Sequence, residues 1–387
     1  MQFKLHILHI GLSSPQLEQD ILLLPLSTGL LNGEDSQTAA LGFAALARVR
    51  PAFADDVISK AKIVSSPEMV SGAKFKKNGT FRIGFSNGFS GNTWRTECLY
   101  TVKKEAVNHK DLADFIIVDG QGDITKQVND IENLVSQNVD AILCIPNSGS
   151  AVAPVLRDAT KQGIVTLPFN LPVAGEDWTA YTGTDPAKKG FALGKWLRGA
   201  LNDSGKIVAL GGLPGNSYSA AAWGGAQKAM EGSKIQVLAY RDASWEEDKA
   251  KVVMADLIAA YPEIDGVWCD GSQDAAGAMR ALLDAKRPLV PVTGDDYNGL
   301  LKLYDQQKAS QPKFNIGLLS EPNWESVIAL RTAIKLLNGE DVPKRQIIEP
   351  QLITSANYKN YLRSDLPDGV FVDTDLSDDE LKALFKS

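Results

Sequence analysis

Two periods of apolar and polar residues alternate along the chain from about residue 80. Short apolar runs, such as Phe81–Ser86 and Ala141–Ile145, have the length and composition of strands. Between them, segments such as Trp245–Ala260 repeat apolar residues at spacings of three and four, which is typical of amphipathic helices. Strands that alternate with helices predict an α/β protein whose parallel sheets carry helices on both faces.

The same pattern of apolar and polar residues predicts the approximate bounds of most elements. The predicted strands are Phe81–Ser86, Phe115–Val118, Ala141–Ile145, Ile164–Pro168, Lys206–Leu210, Lys234–Ala239, Gly266–Cys269, Leu289–Thr293 and Asn315–Leu319. The predicted helices include Asn129–Gln137, Val152–Gln162, Pro186–Leu201, Ser219–Met230, Trp245–Ala260, Gln273–Ala285 and Trp324–Leu337.

The pattern changes phase near residue 182, which predicts two lobes rather than one continuous sheet. The last predicted helix comes too late to belong to the second series of strands, so the chain is expected to cross between the lobes more than once. We predict two Rossmann-like lobes joined by a multi-stranded hinge. Residues 80–184 and about 321–348 would form the first lobe, and residues 185–320 and about 349–387 the second.

The loop after the first of these strands holds polar groups suited to a ligand. Gly88 and Gly91 end the strand, and Asn92 or Thr93 can cap the helix that follows, which leaves Trp94 in its first turn. An indole beside amides and hydroxyls at the carboxyl end of a strand suits a flat polar ligand. The spacing lacks the pattern that cradles phosphate, so the loop favours a sugar over a nucleotide.

The N-terminal residues predict export. The apolar run Thr38–Ala47 is too short to span a bilayer, and Ala52–Ala54 follows it as a small-x-small cleavage pattern. Residues 1–54 therefore resemble a signal peptide, although acidic residues stand where basic ones are usual, which suggests a start site placed too far upstream or a damaged signal. An amphipathic extension is the alternative. Residues 55–79 are expected to be a loosely ordered lead-in, and the Gram-negative periplasm is the expected destination.

Composition narrows the function further. Of 387 residues, 44% are apolar and 22% charged, which is typical of a soluble globular protein. The net charge of −7, without a block of lysine or arginine, argues against nucleic-acid binding.

Few residues are suited to catalysis or metal binding. The three histidines are His6, His9 and His109, and the first two fall in the predicted export segment. This excludes most histidine-based catalysis and histidine metal clusters, so we predict no enzyme, no cofactor and no metal site. Cys144 and Cys269 lie inside apolar runs and are expected to be buried, unpaired thiols.

Eight short motifs in fixed order resemble a known family. They are Ile83–Ser86, Asn92–Arg95, Val139–Asn147, Gly163–Asn170, Tyr181–Asp185, Trp268–Ala281, Val292–Asp296 and Leu336–Glu340. In this order, over roughly residues 80–350, the chain resembles the periplasmic sugar-binding proteins of ABC transporters, of the ribose-, galactose- and xylose-binding kind. The resemblance implies a type I periplasmic binding fold that closes on its ligand about a hinge.

The resemblance also implies a set of ligand contacts from both lobes. Those carried over onto this chain are Asn92, Trp94, Asn170, Trp245, Asp270, Gln273, Asp296 and Ser320. A tryptophan covers the C–H face of a sugar, and Asp or Asn side chains bind its hydroxyls. The alternative is that these side chains are ordinary core aromatics and turn residues. The family's arginine near Ala222 is absent, and Asp270–Ser272 replaces its Asn-Asp pair, so the identity of the sugar stays open.

The implied function is capture of a monosaccharide or sugar alcohol and its delivery to an ABC transporter permease, with a monomer as the expected state. A ligand sensor of the same fold, acting on a chemoreceptor or kinase, is the alternative. A lactose-repressor-type regulator would need an N-terminal helix-turn-helix, and residues 1–80 offer no such basic helical unit.

Overall fold

The computed structural model describes residues 4–7 and 54–385, in which strands and helices alternate as the sequence predicts. The strands are β1 Lys4–Ile7, β2 Ile63–Ser65, β3 Met69–Val70, β4 Phe81–Asn87, β5 Leu112–Asp119, β6 Ala141–Ile145, β7 Val165–Pro168, β8 Tyr181–Gly183, β9 Ser204–Gly211, β10 Lys234–Asp242, β11 Gly266–Cys269, β12 Val292–Gly294, β13 Ile316–Leu319, β14 Val342–Pro343, β15 Arg345–Ile348 and β16 Leu352–Thr354. The helices are α1 Ala54–Lys60, α2 Thr93–Ala106, α3 Ile124–Ser136, α4 Gly149–Lys161, α5 Pro186–Ala200, α6 Ser217–Met230, α7 Glu247–Ala260, α8 Ser272–Asp284, α9 Asn298–Gln307, α10 Glu325–Leu337 and α11 Asp378–Leu384. Two short 3-10 helices lie at Gly72–Lys74 and Tyr358–Asn360.

The first lobe is built on a parallel sheet in the order β1-β5-β4-β6-β7. Every residue of β6 is buried, as expected for a strand covered on both faces. Ile131 of α3 and Leu156 of α4 pack on one face of this sheet, while Val102 of α2 and Ala333 of α10 belong to the core on the other. The sheet is therefore enclosed between two helical layers.

The second lobe has the sheet order β10-β9-β11-β12-β13-β16, in which β16 alone runs antiparallel to its neighbour among the pairs described. Helices α5 and α6 lie against each other on one face, and α7 and α8 on the other. The approach of α5 to α6 depends on Gly190, because a Cβ there would lie 1.8 Å from the carbonyl oxygen of Ala222.

The lobes are joined by a small sheet in which β15 pairs with β2 and β8. The chain passes from the first lobe to the second after β8, returns after β13 into α10, and passes back between β15 and β16. Helix α10 packs on α2, β6 and β7 of the first lobe. The predicted fold class, two α/β lobes and a multi-stranded hinge, is confirmed; the exact lobe boundaries stay a prediction.

The segment before β4 differs from the loosely ordered lead-in that the sequence predicts. Helix α1 leads into β2, which pairs with β15, and β3 pairs with β14. Ile58 packs with Trp324 and Ile348 in a separate apolar cluster. This segment therefore belongs to the hinge region.

The predicted export segment lies mainly outside the described residues. Its one described portion before residue 54 is β1, which pairs in parallel with β5 at the edge of the first sheet. Cleavage after Ala54 would remove β1 and leave β5 as the edge strand. Among the described residues, no helix is both long and apolar enough to cross a membrane.

Candidate ligand-binding cleft

A cavity of about 50 Å³ lies between the lobes, where the loops that follow the parallel strands meet. Its wall is formed by Asn92, Trp94, Arg95, Asn170, Leu171, Tyr218, Trp245, Asp270, Gly271, Gln273, Asp295, Glu321 and Phe371. Ligands bind at this edge in open α/β sheets because loops from several strands converge there. This volume is below the range of about 300–1,000 Å³ that is usual for small-molecule sites.

Glu321 joins the two lobes at the base of the cavity. Its Oε1 accepts a hydrogen bond from Asn170 Nδ2 at 2.8 Å, and its Oε2 accepts one from the Tyr218 hydroxyl at 3.1 Å. Lys189 of α5 forms a buried ion pair with the same carboxylate. The backbone carbonyl of Glu321 accepts from Trp94 Nε1 at 2.8 Å. One residue of the return crossing thus binds side chains from both lobes.

Asp296 holds the loop that carries Glu321 and does not line the cavity. Its Oδ1 accepts from the Glu321 N–H at 2.7 Å, and its Oδ2 accepts from the Asp373 N–H at 2.6 Å. Burial raises its pKa well above the usual range. Ser320 also lies off the cavity wall. Its hydroxyl accepts a hydrogen bond from the Gln351 N–H at 3.0 Å.

Trp245 and Asp270 form one wall from the second lobe. The indole Nε1 donates to Asp270 Oδ1 at 2.9 Å, and the ring meets Tyr218 edge to face with centroids 6.2 Å apart. The indole fits because Gly212 lacks a side chain: a Cβ there would lie 2.0 Å from the ring. Asp270 Oδ2 is buried and receives no hydrogen bond from the described residues. The Ser219 hydroxyl also interacts with the Asp270 carboxylate and lowers its pKa.

Of the adjacent residues Asp295 and Asp296, Asp295 lines the cavity. The Ser272 N–H donates to its Oδ1 at 2.8 Å. Burial raises the pKa of Asp295 to about 7, and the nearby ammonium of Lys189 opposes this rise. Burial likewise raises the pKa of Asp270 to about 6. Burial alone would lower the pKa of Lys189, but the adjacent Glu321 carboxylate outweighs it and the net direction is upward.

The first lobe contributes Asn92, Trp94 and Arg95 from the start of α2. Asn92 caps this helix by accepting from the Arg95 N–H at 3.0 Å, so the predicted helix start is confirmed. The Arg95 guanidinium lies 5.6 Å from the Trp94 ring centroid and donates to Asn87 Oδ1 at 2.8 Å. Burial lowers its pKa to about 10, so it remains a cation at neutral pH.

Asn170 and Gln273 bring amide groups to the cavity from opposite lobes. Asn170 has a φ of 60°, a left-handed conformation that asparagine tolerates better than most residues. Gln273 Nε2 lies 3.4 Å from Thr93 Oγ1 across the cleft, and its buried Oε1 has no hydrogen-bond partner among the described residues.

Six of the eight predicted contact residues lie on the cavity wall: Asn92, Trp94, Asn170, Trp245, Asp270 and Gln273. Their contact with a ligand stays a prediction. Sequence reasoning missed Arg95, Tyr218, Asp295, Glu321 and Phe371 on the wall, and Lys189 behind it. Arg95 and Asp295 are each next to a predicted residue, so their segments carried a usable signal. Phe371 carried none, because it belongs to no strand-end motif.

Other predicted features can be placed as well. Trp223 lies away from the cavity and packs with Tyr240 and Trp268, at centroid distances of 5.4 and 5.0 Å. Cys144 and Cys269 are buried free thiols, as predicted. Among the described residues, no group of histidine, cysteine and acidic side chains is arranged to hold a metal ion. The wall therefore offers aromatic faces, carboxylates, amides and the Arg95 guanidinium.

Comparisons with known proteins agree with this architecture. The chain is 25% identical over 264 residues to the ribose import binding protein RbsB of Bacillus subtilis, covering 68% of this chain and 84% of that protein. It is 29% identical over 238 residues to a xylitol-binding protein of Mycolicibacterium smegmatis, covering 61% and 67%. A crystal structure of an ABC transporter solute binding protein from Mycobacterium smegmatis with bound glycerol aligns with a TM-score of 0.66 and 27% identity, covering 74% and 98%.

Residues 83–341 match the family described as periplasmic binding protein domain. These residues include both central sheets apart from β1 and β16, and every wall residue of the cavity except Phe371. The chain is a member of the periplasmic binding protein domain family.

Proposed function

We propose that this protein captures a monosaccharide or sugar alcohol in the cleft, outside the cytoplasm, and delivers it to an ABC transporter permease. The observation that carries the proposal is the cavity wall itself, where Trp94 and Trp245 accompany polar side chains from both lobes. Relatives that bind ribose and xylitol support the class of ligand.

The polar groups suit a polyhydroxyl ligand. Asp270 Oδ2 and Gln273 Oε1 are buried acceptors without donors among the described residues, and a ligand hydroxyl would supply one to each. A hydrogen bond to a carboxylate is about twice as strong as one between neutral groups. Each acceptor left without a donor costs roughly 1–3 kcal/mol, so the cavity would distinguish sugars by the direction of their hydroxyls.

Arg95 and Lys189 would take the place of the arginine that is absent near Ala222. Arg95 reaches the cavity directly, whereas Lys189 neutralises Glu321 at its base. Glu321 already accepts from three side chains, so it would position the wall more than bind the ligand. Asp295 would be the acidic ligand contact instead of its neighbour Asp296.

The test is titration calorimetry of the purified chain with D-ribose, D-xylose, D-glucose, xylitol and glycerol, with tryptophan fluorescence as a second readout. A saturable response to at least one probe, weakened about tenfold in Asp270→Asn, is the expected result. Asp242→Asn is a matched control, because Asp242 is exposed at the end of β10. A flat response to every probe would contradict the proposal.

We also propose binding without catalysis, a monomeric state and residence in a Gram-negative periplasm. A sensing role would use the same cleft and differ in the partner that reads the closed form. Uptake of the bound probe by cells that carry the neighbouring permease, lost on deletion of this gene, would support transport over sensing.

A further inference from the structure

The chain continues beyond the family match with a C-terminal segment, residues 361–385, that is anchored first on the second lobe. Asn298 at the start of α9 donates through Nδ2 to the carbonyls of Arg363 and Pro367, at 2.8 and 3.0 Å. The Asn298 N–H donates to the Val370 carbonyl at 2.8 Å. A buried amide therefore fixes the path of this segment as it approaches the cleft.

The same segment is then anchored on the first lobe. The Thr101 hydroxyl donates to Asp375 Oδ1 at 2.9 Å, and Lys104 pairs with Glu380 at 2.9 Å. Thr101 and Lys104 belong to α2, the helix whose first turn carries the wall residues Trp94 and Arg95. Helix α11 starts with a capping box at Ser377, so the end of the segment has defined structure.

Phe371 lies between these anchors and faces the cavity. Its side chain is 2% exposed and forms part of the cavity wall. Its N–H donates to Glu97 Oε1 at 2.8 Å, and its ring lies 5.6 Å from that of Tyr297. The buried Glu97 carboxylate also accepts from Asn323 Nδ2 at 2.5 Å. Phe371 is thus held from the first lobe through its N–H and from the second through its ring.

We propose that Phe371 is a specificity-determining residue of the ligand site, supplied by the C-terminal segment as a third wall of the cleft. The inference rests on the proposed function, since it names which part of the ligand this wall selects. A phenyl ring offers an apolar face and no hydrogen-bond acceptor of ordinary strength. It favours a C–H edge of the sugar or polyol and disfavours a hydroxyl at the same position, which would lose its partner.

The experiment compares Phe371→Ala with Phe385→Ala in the full chain. Phe385 lies in the same segment but packs with Leu366 and Leu381, away from the cavity. Affinities for D-ribose, D-xylose, D-glucose, xylitol and glycerol are measured by calorimetry, and thermal unfolding reports whether each variant folds. Phe371→Leu is the substitute if the alanine variant does not fold.

We expect Phe371→Ala to weaken the best-bound probe by roughly tenfold and to change the order of affinities, as loss of one apolar wall predicts. Phe385→Ala should lower the unfolding temperature without changing that order. Unchanged affinities and order in Phe371→Ala, with the wild type binding normally, would overturn this inference alone. Absence of binding by the wild type would overturn the proposed function, and the inference with it.

Discussion

At the scale of single residues, Trp94 combines a buried structural contact with a place on the cavity wall. It is 5% exposed, it lines the cavity, and its Nε1 donates to the Glu321 carbonyl. Truncation to alanine would cost about 3–5 kcal/mol of stability as well as any stacking on the ligand. Core packing and ligand contact are therefore not alternatives at this position.

Trp94→Phe is the sharper test, because it keeps an aromatic ring and removes the indole donor. We expect the affinity for the best-bound probe to fall about tenfold, since the ring shifts and Glu321 loses one of its anchors. Calorimetry gives the affinity, and urea unfolding gives the stability. Trp196→Phe is the control, because Trp196 packs against Gly317 outside the cavity. Equal affinities in both variants would show that the Trp94 indole is not part of the site.

Glu321 is expected to be the most sensitive carboxylate for stability. Glu321→Gln leaves the Lys189 ammonium buried without its counter-charge, which costs about 3–5 kcal/mol in comparable buried pairs. The control is Glu349→Gln, whose partner Lys62 lies on the surface with 69% of its side chain exposed, and which should change stability by less than about 1 kcal/mol. Denaturant unfolding measures both. Similar values for the two variants would contradict the role of Glu321 at the base of the cleft.

The neighbours Asp295 and Asp296 show where sequence reasoning stops at this scale. The motif after β12 indicates that an acidic residue reaches the site, but it does not say which of the two. The choice is made by the N–H groups of Glu321 and Asp373, which hold Asp296 and come from distant parts of the chain. A local pattern contains no information about such partners.

At the scale of elements, the close contact of α5 with α6 gives a prediction about glycine. Gly190→Ala would place a Cβ 1.8 Å from the carbonyl oxygen of Ala222, so the helices must separate, and we expect a loss of several kcal/mol of stability. Gly199→Ala on the same helix meets nothing within 4 Å and should stabilise by roughly 0.5–1 kcal/mol. Thermal unfolding of both variants is the measurement. A neutral Gly190→Ala would mean that the helices are not in contact there.

At this scale, the sequence predicts elements with long apolar runs and does not predict very short ones. All nine predicted strands overlap strands of the two central sheets, because most of these strands are buried apolar runs. Strands β2, β3 and β14 have only two or three residues, and each pairs with a strand far away in sequence. Periodicity cannot detect runs of that length. The sequence assigns the C-terminal segment to the second lobe but predicts no helix or strand in it, because polar contacts hold much of it.

At the scale of the whole molecule, the buried carboxylates predict how stability depends on pH. The pKa values of about 6 for Asp270 and about 7 for Asp295 lie above the value of 3.8 that applies without burial. Between about pH 4 and 7 the folded chain therefore binds more protons than the unfolded chain, and the free energy of unfolding falls as the pH rises. Burial raises the pKa of Asp274 as well, which adds to the same trend. The Glu321 carboxylate beside Asp295 also raises its pKa, whereas Lys189 opposes the rise.

Ligand binding should show the opposite trend over the same range. An ionised carboxylate only accepts hydrogen bonds, so ligand hydroxyls bind better once Asp270 and Asp295 have lost their protons. We expect the affinity for the best-bound probe to rise from pH 5 to pH 8 while the unliganded chain becomes less stable, on the order of 3 kcal/mol per carboxylate at most. Urea unfolding and calorimetry at several pH values measure the two trends. The Asp270→Asn/Asp295→Asn variant should reduce both slopes, because neither position then titrates. Slopes as steep as those of the wild type in this variant would assign the pH dependence to other groups and leave the cleft carboxylates without a part in it.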